Sequence, residues 1–253
     1  MRTTKLGQHF LIDPSIIELE LSIAELTKED IVLEIGPGKG ILTHQLAKKV
    51  KQVIAVELDP SLYNFLSQQI SENVLLINQD IMKVSLADIP SFTKVVANLP
   101  YQISSPVTFK LLENRFQKAV LIYQKEFADR MIAQSGSKDY SRLSVGIAYK
   151  AACKIHKDIP SSAFSPPPKV TSSLVELIPF KTPPFHVIDE SFFFEVTKQL
   201  FTHRRKQIKT ILKHSKTLPY SEDLKYKTKR VEQLSPQEIG HLSNQLYHLK
   251  QST

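Results

Sequence analysis

Cysteine is nearly absent from this chain, which has Cys153 as its one thiol in 253 residues. A single cysteine excludes an internal disulfide framework and a cysteine-rich metal site. The eight histidines are scattered and form no His-x-x-x-His pair, so we expect no metal centre. The sequence also lacks the Gly-x-Ser-x-Gly nucleophile elbow and the Walker-type phosphate loop. These absences disfavour several common catalytic arrangements.

Long apolar runs are lacking as well. No segment reaches the roughly 20 apolar residues of a membrane-spanning helix, and no apolar stretch near the first residue suggests a secretion signal. The composition, 42 % hydrophobic, is ordinary for a soluble protein. We therefore expect a cytoplasmic protein without membrane association, built as one large domain or as a large and a small one.

Glycine is scarce too, yet three of the seven glycines lie in one turn. Gly36, Gly38 and Gly40 follow the apolar run Ile31–Ile35 and precede a helical pattern. A strand, a glycine turn and a helix form the half-unit that binds nucleotide-like ligands, although a plain structural turn is the alternative. The next apolar run ends at Glu57, whose carboxylate suits the two hydroxyls of a ribose. Together the two features favour a nucleoside cofactor.

The spacing of this turn narrows the choice of cofactor. Its pattern, Gly-x-Gly-x-Gly, differs from the Gly-x-Gly-x-x-Gly fingerprint of dinucleotide-binding proteins. It resembles instead the motif with which class I methyltransferases bind S-adenosylmethionine. A nicotinamide-dependent oxidoreductase is therefore disfavoured.

Apolar runs alternate with helical patterns along the first 180 residues, which is typical of a parallel sheet covered by helices on both faces. Two late runs, 142–158 and 170–178, have no predicted helix between them and predict an antiparallel hairpin at the sheet edge. The expected fold class is α/β, with the Rossmann-like, mostly parallel sheet of a class I methyltransferase. The predicted strands are 31–35, 53–57, 74–78, 94–97 and 118–123, and the predicted helices are 14–25, 41–50, 60–71, 105–114 and 125–134.

Three prolines, Pro179, Pro183 and Pro184, mark a change of pattern from this α/β part to a helical one. We therefore predict an S-adenosylmethionine-binding domain at 1–180 and a small helical RNA-binding domain at 181–253. Charge divides in the same way, because the first part has 20 basic and 18 acidic side chains and the second has 13 and 7. The basic excess of the second part suggests a polyanion such as nucleic acid.

The basic excess is concentrated in 202–216, which has six Lys or Arg and no acidic residue. Helical spacing would place Arg205, Lys209, Lys213 and Lys216 on one face, where a phosphate backbone could bind. A merely solvated helix face is the alternative. The predicted RNA contacts are Arg204, Arg205, Lys206, Lys209 and Lys213.

The tetrapeptide Asn98-Leu99-Pro100-Tyr101 follows the fourth predicted strand and should face the same crevice as the glycine turn. The Asn98 side-chain oxygen can accept an N–H bond from an exocyclic amine and so aim its nitrogen at an electrophilic methyl group. Tyr101 can stack on a flat base. A structural turn at the strand end is the alternative, because Asn and Pro are common turn residues.

Two further residues belong to this hypothesis. Asp80 ends the third strand and could accept a hydrogen bond from the amino group of a cofactor adenine; a solvated loop Asp is the alternative. Phe164 precedes three prolines that impose an extended course and could form a second stacking surface, or could be a core residue of a hairpin loop.

In this order along nearly the whole chain, the segments resemble the ribosomal RNA adenine N6,N6-dimethyltransferase family, the KsgA-type small-subunit enzymes with their archaeal and eukaryotic relatives. The segments that carry the resemblance are Lys5-Leu6-Gly7-Gln8-His9-Phe10-Leu11, Glu34 to Gly40, Glu57, Gln79-Asp80, Asn98-Leu99-Pro100-Tyr101, Asp139-Tyr140-Ser141-Arg142-Leu143-Ser144-Val145 and the proline loop with Phe164.

The resemblance implies that S-adenosylmethionine, without a metal, dimethylates N6 of two adjacent adenosines in a hairpin near the 3′ end of small-subunit rRNA. The partner would be a maturing small subunit, and we expect a monomer. His9 departs from the Asn that is common in bacterial members. The implied cofactor contacts are Gln8, His9, Leu11, Gly36, Gly38, Glu57, Asp80 and Asn98, and the implied catalytic residues are Asn98, Pro100, Tyr101 and Phe164.

Two other functions remain open on the same fold. One is a macrolide-resistance methyltransferase that acts on large-subunit rRNA, which the basic N-terminal arm and the proline loop disfavour. The other is a non-catalytic RNA-binding assembly factor, which the intact Asn98–Tyr101 segment and Glu57 argue against.

Overall fold

The structure is a computed structural model that describes residues 8–252. The first part of the N-terminal motif, Lys5-Leu6-Gly7, and the basic residue Arg2 lie outside the described residues. The strands are β1 (Phe10–Leu11), β2 (Ile31–Ile35), β3 (Gln52–Glu57), β4 (Val74–Asn78), β5 (Lys94–Asn98), β6 (Lys118–Gln124), β7 (Ala151–Ile159), β8 (Phe164–Ser165) and β9 (Ser172–Pro179). The α-helices are α1 (Pro14–Ala24), α2 (Ile41–Ala47), α3 (Pro60–Ser67), α4 (Ser104–Leu112), α5 (Lys125–Met131), α6 (Arg142–Lys150), α7 (Glu190–Thr202), α8 (Ile208–Lys213) and α9 (Pro236–Gln251).

The chain divides into two compact units. The first comprises the chain up to Ala128 together with Cys153–Pro179, and the second comprises Asp129–Ala152 and the chain from Phe180 onward. The sequence predicts a domain boundary at 180, and the second unit resumes there, but it also takes in a segment that the sequence assigns to the first domain. The reason is that side chains of 140–149 belong to the second hydrophobic core.

A seven-stranded sheet among the described residues organises the first unit, with the strand order β4-β3-β2-β5-β6-β9-β7. Strands β2 to β6 run parallel, whereas β9 runs antiparallel to β6 and β7 lies beside β9 at the edge. The mostly parallel sheet with an antiparallel edge is therefore confirmed. The order of the strands reverses between β2 and β5, and the crevice beyond the carboxyl ends of such strands is where ligands bind in this class of fold.

The central strands explain why their sequences read as unbroken apolar runs. Val32 and Leu33 of β2, like Val95 and Val96 of β5, are fully buried, because helices cover the sheet and alternate side chains point to opposite faces. Among the described residues, no helix combines the length and apolar character needed to cross a membrane.

Two helices of the first unit begin as their sequences predict. Asp13 and Asp59 each accept a hydrogen bond from the backbone N–H two residues further on, and each is followed by a proline at the first helical position. This N-cap arrangement satisfies an N–H that would otherwise lack an intrahelical partner.

The assignment of 142–150 to a strand is wrong. This segment is helix α6, and only Ala151–Ile159 forms the edge strand β7. Ser141 caps α6, since its N–H donates to the Ser144 hydroxyl at 3.0 Å. The helix is buried on most of its surface, so its apolar residues fall on several faces and the sequence does not show a helical period.

The second unit packs α7 and α9 around a core that includes Phe193, Val196 and Leu242. A capping box begins α9, because Ser235 and Glu238 exchange side-chain-to-backbone hydrogen bonds of 2.9 and 3.2 Å.

The predicted basic helix face is wrong, because α8 is confined to Ile208–Lys213 and excludes Arg205 and Lys216. The backbone N–H groups of Ile208 and Lys209 donate to the carbonyls of Lys229 and Lys227 at 2.9 and 2.8 Å. This pairing with a distant segment holds the start of α8 and replaces the continuous helix that local spacing predicts.

Candidate active site

A cavity of about 600 Å³ opens in the first unit at the carboxyl ends of β2, β3 and β5. Four parts of the chain surround it: the segment before α1, the glycine turn, the ends of the strands and the loop that begins with Phe164. Every residue that the sequence assigns to the cofactor or to catalysis lines this one cavity: Gln8, His9, Leu11, Gly36, Gly38, Glu57, Asp80, Asn98, Pro100, Tyr101 and Phe164.

The glycine turn bends in a way that other residues avoid. Gly36, Gly38 and Gly40 have φ values of +71°, +57° and +82°, in the left-handed region that disfavours a Cβ atom. A Cβ on Gly38 would lie 2.7 Å from a ring carbon of Phe10. The backbone of the turn therefore lies open to the cavity, and the close contact with Phe10 leaves no space for a larger residue.

Glu57 links the turn to the end of β3. Its two carboxylate oxygens accept the backbone N–H groups of Gly38 at 3.0 Å and of Asp59 at 2.9 Å. Each oxygen retains a further lone pair, so the side chain can brace the turn and still accept a ribose hydroxyl. Burial raises the pKa of the Glu57 carboxyl.

Two more carboxyl groups lie beneath the turn. Glu34, on β2, also lines the cavity, and burial raises its pKa to about 8, with the charge of Glu57 adding to the rise. Glu20, on α1, is fully buried and neither of its oxygens has a partner among the described residues. Burial raises the pKa of Glu20, and the charge of Glu34 adds to the rise. The sequence gives no signal for Glu20, because an acidic residue within an amphipathic helix is ordinarily exposed.

Asn98 has an unsatisfied acceptor inside the cavity. Its Oδ1 is buried and has no hydrogen-bond partner among residues 8–252. A buried carbonyl oxygen without a donor is unfavourable by about 1–3 kcal/mol, so a ligand that brings an N–H group gains that amount of binding free energy. An exocyclic amine is the kind of donor that fits.

Tyr101 and Phe164 provide aromatic surface next to Asn98. The Tyr101 hydroxyl shares a hydrogen bond of 2.6 Å with the Ser172 hydroxyl, which fixes the ring at the start of β9. Burial raises the pKa of the Tyr101 phenol, so this group stays neutral. Phe164 lines the cavity but is 4 % exposed and packs in the hydrophobic core of the first unit, as the alternative from the sequence holds, and it pairs with Leu11 across strands β8 and β1. Ser172 was not expected from the sequence, since a strand serine gives no local signal.

The segment before α1 and the proline loop form one cover over the cavity. Strands β1 and β8 are antiparallel, and the N–H of Ile12 donates to the Ala163 carbonyl at 2.8 Å. The His9 ring donates from Nδ1 to the Pro166 carbonyl at 2.7 Å and stacks on Tyr101 with 6.0 Å between ring centroids. The His9 side chain, which belongs to the N-terminal half of the cover, thus contacts both the proline loop and Tyr101, the predicted base-stacking residue.

Asp80 lies at the opposite wall, after β4. Its Oδ1 accepts the backbone N–H of Met82 at 2.9 Å, which orients the carboxylate at the rim. The glycine turn, Glu57, Asp80 and the free Asn98 oxygen form a set of acceptors and open backbone that fits a nucleoside with amino and hydroxyl groups. No group of three or more metal-binding side chains occurs within residues 8–252.

The basic residues of the second unit differ in their surroundings. The Arg204 guanidinium donates to Glu232 at 2.8 Å and to the Ser137 carbonyl at 2.7 Å, so it is engaged within the unit. Arg205 and Lys206 line a second cavity of about 710 Å³. Lys213 forms an ion pair of 3.0 Å with Glu222. RNA contact by these side chains stays a prediction, and Arg204 has the additional role of holding the unit together.

Comparison with known proteins identifies a family over the same span. A family model described as ribosomal RNA adenine dimethylase matches residues 2–248. A relative from Methanosarcina mazei, named ribosomal RNA small subunit methyltransferase A, is 43 % identical over 96 % of this chain and 92 % of its own. A relative of the same name from Methanococcus maripaludis is 45 % identical over 97 % of this chain and 98 % of its own.

Solved structures agree on the fold. A dimethyladenosine transferase from Plasmodium falciparum superposes with a TM-score of 0.80 at 30 % identity, covering 96 % of this chain and 98 % of its own. The 23S rRNA methyltransferase ErmE superposes with a TM-score of 0.69 at 26 % identity, covering 94 % of this chain and 99 % of its own.

Proposed function

This chain belongs to the ribosomal RNA adenine dimethylase family and is a methyltransferase, and from that membership we propose that it dimethylates N6 of two adjacent adenosines in a hairpin near the 3′ end of small-subunit rRNA. The observation that carries the proposal is the buried Asn98 Oδ1 without a partner in the cavity. It is the acceptor that an adenosine amino group requires.

S-adenosylmethionine is the proposed cofactor, and when bound it supplies a methyl group that is already electrophilic. The residues around the glycine turn suit it. The open backbone at Gly36 and Gly38 admits the ligand, Glu57 would hold the ribose hydroxyls, and Asp80 would accept the amino group of the adenine. Gln8, His9 and Leu11 would cover the cofactor from the side of β1.

Binding of the target adenosine would rest on the other wall of the cavity. Tyr101 and Phe164 would hold the base by stacking, which contributes roughly 1–3 kcal/mol per base. Asn98 Oδ1 would accept one N6–H, while the Pro100 segment shapes the strand end, so that the nitrogen lone pair is directed at the methyl group. Such orientation provides much of the rate enhancement for a weak nucleophile. The nitrogen becomes acidic after methyl transfer, so its proton can leave to water without a dedicated base.

The partner that we propose is small-subunit rRNA in a maturing subunit, bound in part through Arg205, Lys206, Lys209 and Lys213. A cytoplasmic location, which suits a ribosomal substrate, and a monomeric state complete the proposal, and neither rests on a contact in the structure.

Methyl transfer from labelled S-adenosylmethionine to undermethylated small subunits, with large subunits in parallel, tests the proposal. We expect labelled N6,N6-dimethyladenosine in digests of small subunits alone. Label in large subunits would support the activity that the similarity to ErmE raises as the second candidate. Cofactor binding without label in either subunit would instead support an assembly factor.

The Asn98→Ala variant tests the observation itself. The variant should lose transfer by at least about two orders of magnitude, as expected when a positioning hydrogen bond in the transition state is removed, while its melting temperature stays close to that of the wild type and it still binds RNA. The control Asn64→Ala removes an exposed amide side chain of helix α3 that does not line the cavity. A fully active Asn98→Ala protein would exclude the positioning role.

A further inference from the structure

Tyr226 has an unusual backbone conformation for an aromatic residue. Its φ is +72°, in the left-handed region, and it is one of two non-glycine residues with positive φ among those described. A tyrosine is unfavourable there, since its Cβ crowds the following carbonyl, and glycine or asparagine would fit with less strain. Strained positions of this kind are concentrated at functional sites, so the conformation of Tyr226 suggests a functional role in addition to packing.

The ring lies within a concentrated group of positive charges. Residues 225–230, Lys-Tyr-Lys-Thr-Lys-Arg, contain four basic residues and no acidic one. The ammonium groups of Lys225 and Lys229 each lie 5.3 Å from the centroid of the Tyr226 ring. Within the described residues, Lys225 has no carboxylate partner at ion-pair distance, whereas Lys229 pairs with Glu238 at 3.2 Å.

The ring is held from behind and is only partly covered. The His241 ring meets it edge to face, with centroids 5.9 Å apart and planes at 82°. One side of the Tyr226 ring packs on the core of the second unit, and the residue as a whole is half-buried. An aromatic ring that is fixed by a neighbour and has two ammonium groups 5.3 Å from its centroid matches the surfaces on which unpaired nucleic-acid bases stack.

The backbone connects this ring to the basic residues around α8. The Lys229 N–H donates to the Tyr226 carbonyl at 2.9 Å, which closes the turn. The Lys209 N–H donates to the Lys227 carbonyl at 2.8 Å. The two basic segments, 204–209 and 225–230, therefore lie side by side, and within 225–230 Lys227 pairs with Glu222 at 3.1 Å while Lys225 has no carboxylate partner among the described residues.

We propose that Tyr226 is a stacking platform for an unpaired RNA base and that Lys225 and Lys229 bind the phosphates on either side of that base. This proposal rests on the RNA substrate of the proposed function, and it adds a contact surface outside the methyl-transfer cavity. The lysine side chains are long and solvated, so they can move from the ring face to the phosphates when a base stacks.

Binding of a fluorescent single-stranded RNA of about ten nucleotides, measured by anisotropy without cofactor, tests the platform separately from methyl transfer. Tyr226→Leu keeps the apolar packing and the backbone strain but removes the aromatic face, and we expect it to weaken binding about 5- to 100-fold. Tyr226→Phe is the matched control and should bind within about twofold of the wild type, since stacking does not need the hydroxyl and the hydroxyl's hydrogen bond with His241 Nδ1 is long, at 3.4 Å. The melting temperatures of both variants, measured alongside, check that each is folded.

Two further measurements separate stacking from general attraction. A blunt RNA duplex of the same length has no unpaired base, so Tyr226→Leu should bind it as the wild type does. Lys225→Gln should reduce the slope of log affinity against log salt by about 0.7 for the single strand. Equal binding of single strands by Tyr226→Leu and the wild type, equal losses in the Phe and Leu variants, or no binding by the wild type would each overturn the platform. If the binding results support the platform while no methyl transfer is detected, only the proposed activity is contradicted.

Discussion

Burial of the Glu34 carboxyl should make the stability of the cofactor-free protein fall as the pH rises. The residue is 2 % exposed, and its pKa rises from 4.5 to about 8 because burial disfavours the ionised form. In the unfolded chain the carboxyl ionises near 4.5, so between the two values the folded protein holds a proton that the unfolded chain releases. The unfolded state then binds fewer protons, and the free energy of unfolding decreases with pH.

The size of the effect follows from the two pKa values. Each pH unit within the window is worth about 1.4 kcal/mol, so this group removes about 3–4 kcal/mol of stability between about pH 5 and about pH 8. Below the unfolded pKa the contribution is fully present, and above the folded pKa no further change occurs. A loss of this size is a large part of the roughly 5–15 kcal/mol that stabilises a typical domain.

Urea unfolding of the wild type and of Glu34→Gln, at steps from about pH 5 to about pH 8, measures the difference. The glutamine resembles the protonated carboxyl in shape and does not titrate, so the variant should lack about 3–4 kcal/mol of the wild-type pH dependence. The pH dependence, and not the absolute free energy of unfolding, is the quantity to compare, because the buried glutamine amide needs hydrogen-bond partners of its own. Glu18→Gln removes an exposed carboxyl of the same helix that contains Glu20 and controls for charge removal. Parallel pH profiles for the wild type and Glu34→Gln would refute the reasoning.

Substitutions at three other positions test the cover and the walls of the cavity. Gly38 has a φ of +57°, and a Cβ at this position would lie 2.7 Å from the Phe10 ring. Gly38→Ala should therefore lose at least about 1 kcal/mol of stability and bind S-adenosylmethionine more weakly, as measured by calorimetry. Unchanged binding would contradict the role of the turn. His9→Ala removes the hydrogen bond to the Pro166 carbonyl, which contributes about 0.5–1.5 kcal/mol. We expect a higher apparent KM for RNA or cofactor with only a small fall in Tm. His9→Gln, which can still donate a hydrogen bond, should recover part of the increase in KM. Ser172→Ala leaves the Tyr101 hydroxyl without its partner and should lower kcat a few-fold with little change in RNA affinity; a changed affinity with normal kcat would assign Ser172 to RNA binding instead.

The fold of the first unit could be predicted because its strands are buried on both faces. Continuous apolar runs such as Val53–Val56 follow directly from that burial, and the carboxyl ends of parallel strands meet at one edge. Gly36, Glu57 and Asn98 could therefore be expected to lie close together although they are far apart in the sequence. The structure places them around one cavity.

The sequence predicts the wrong structure for helix α6 and for the basic segment around α8, because contacts between distant residues determine the structure of both segments. Helix α6 is buried on several faces, so its residues carry no period that separates it from a strand. The start of α8 depends on backbone pairing of Ile208 and Lys209 with residues about 20 positions further on, which local spacing cannot reveal. The contact of His9 with Pro166 spans 157 positions, and neither residue alone predicts it.

The pairing of β1 with β8 also has a consequence for the order of events during synthesis. The cover of the cavity requires both Phe10–Leu11 and Phe164–Ser165, which leave the ribosome at the two ends of a long stretch of chain. A nascent protein that has folded only its first strands therefore has the glycine turn but no cover. Contacts between distant segments form late, because closing a long loop carries a large entropic cost. The cavity can therefore close only after synthesis has passed residue 166, close to the end of the first unit at Pro179.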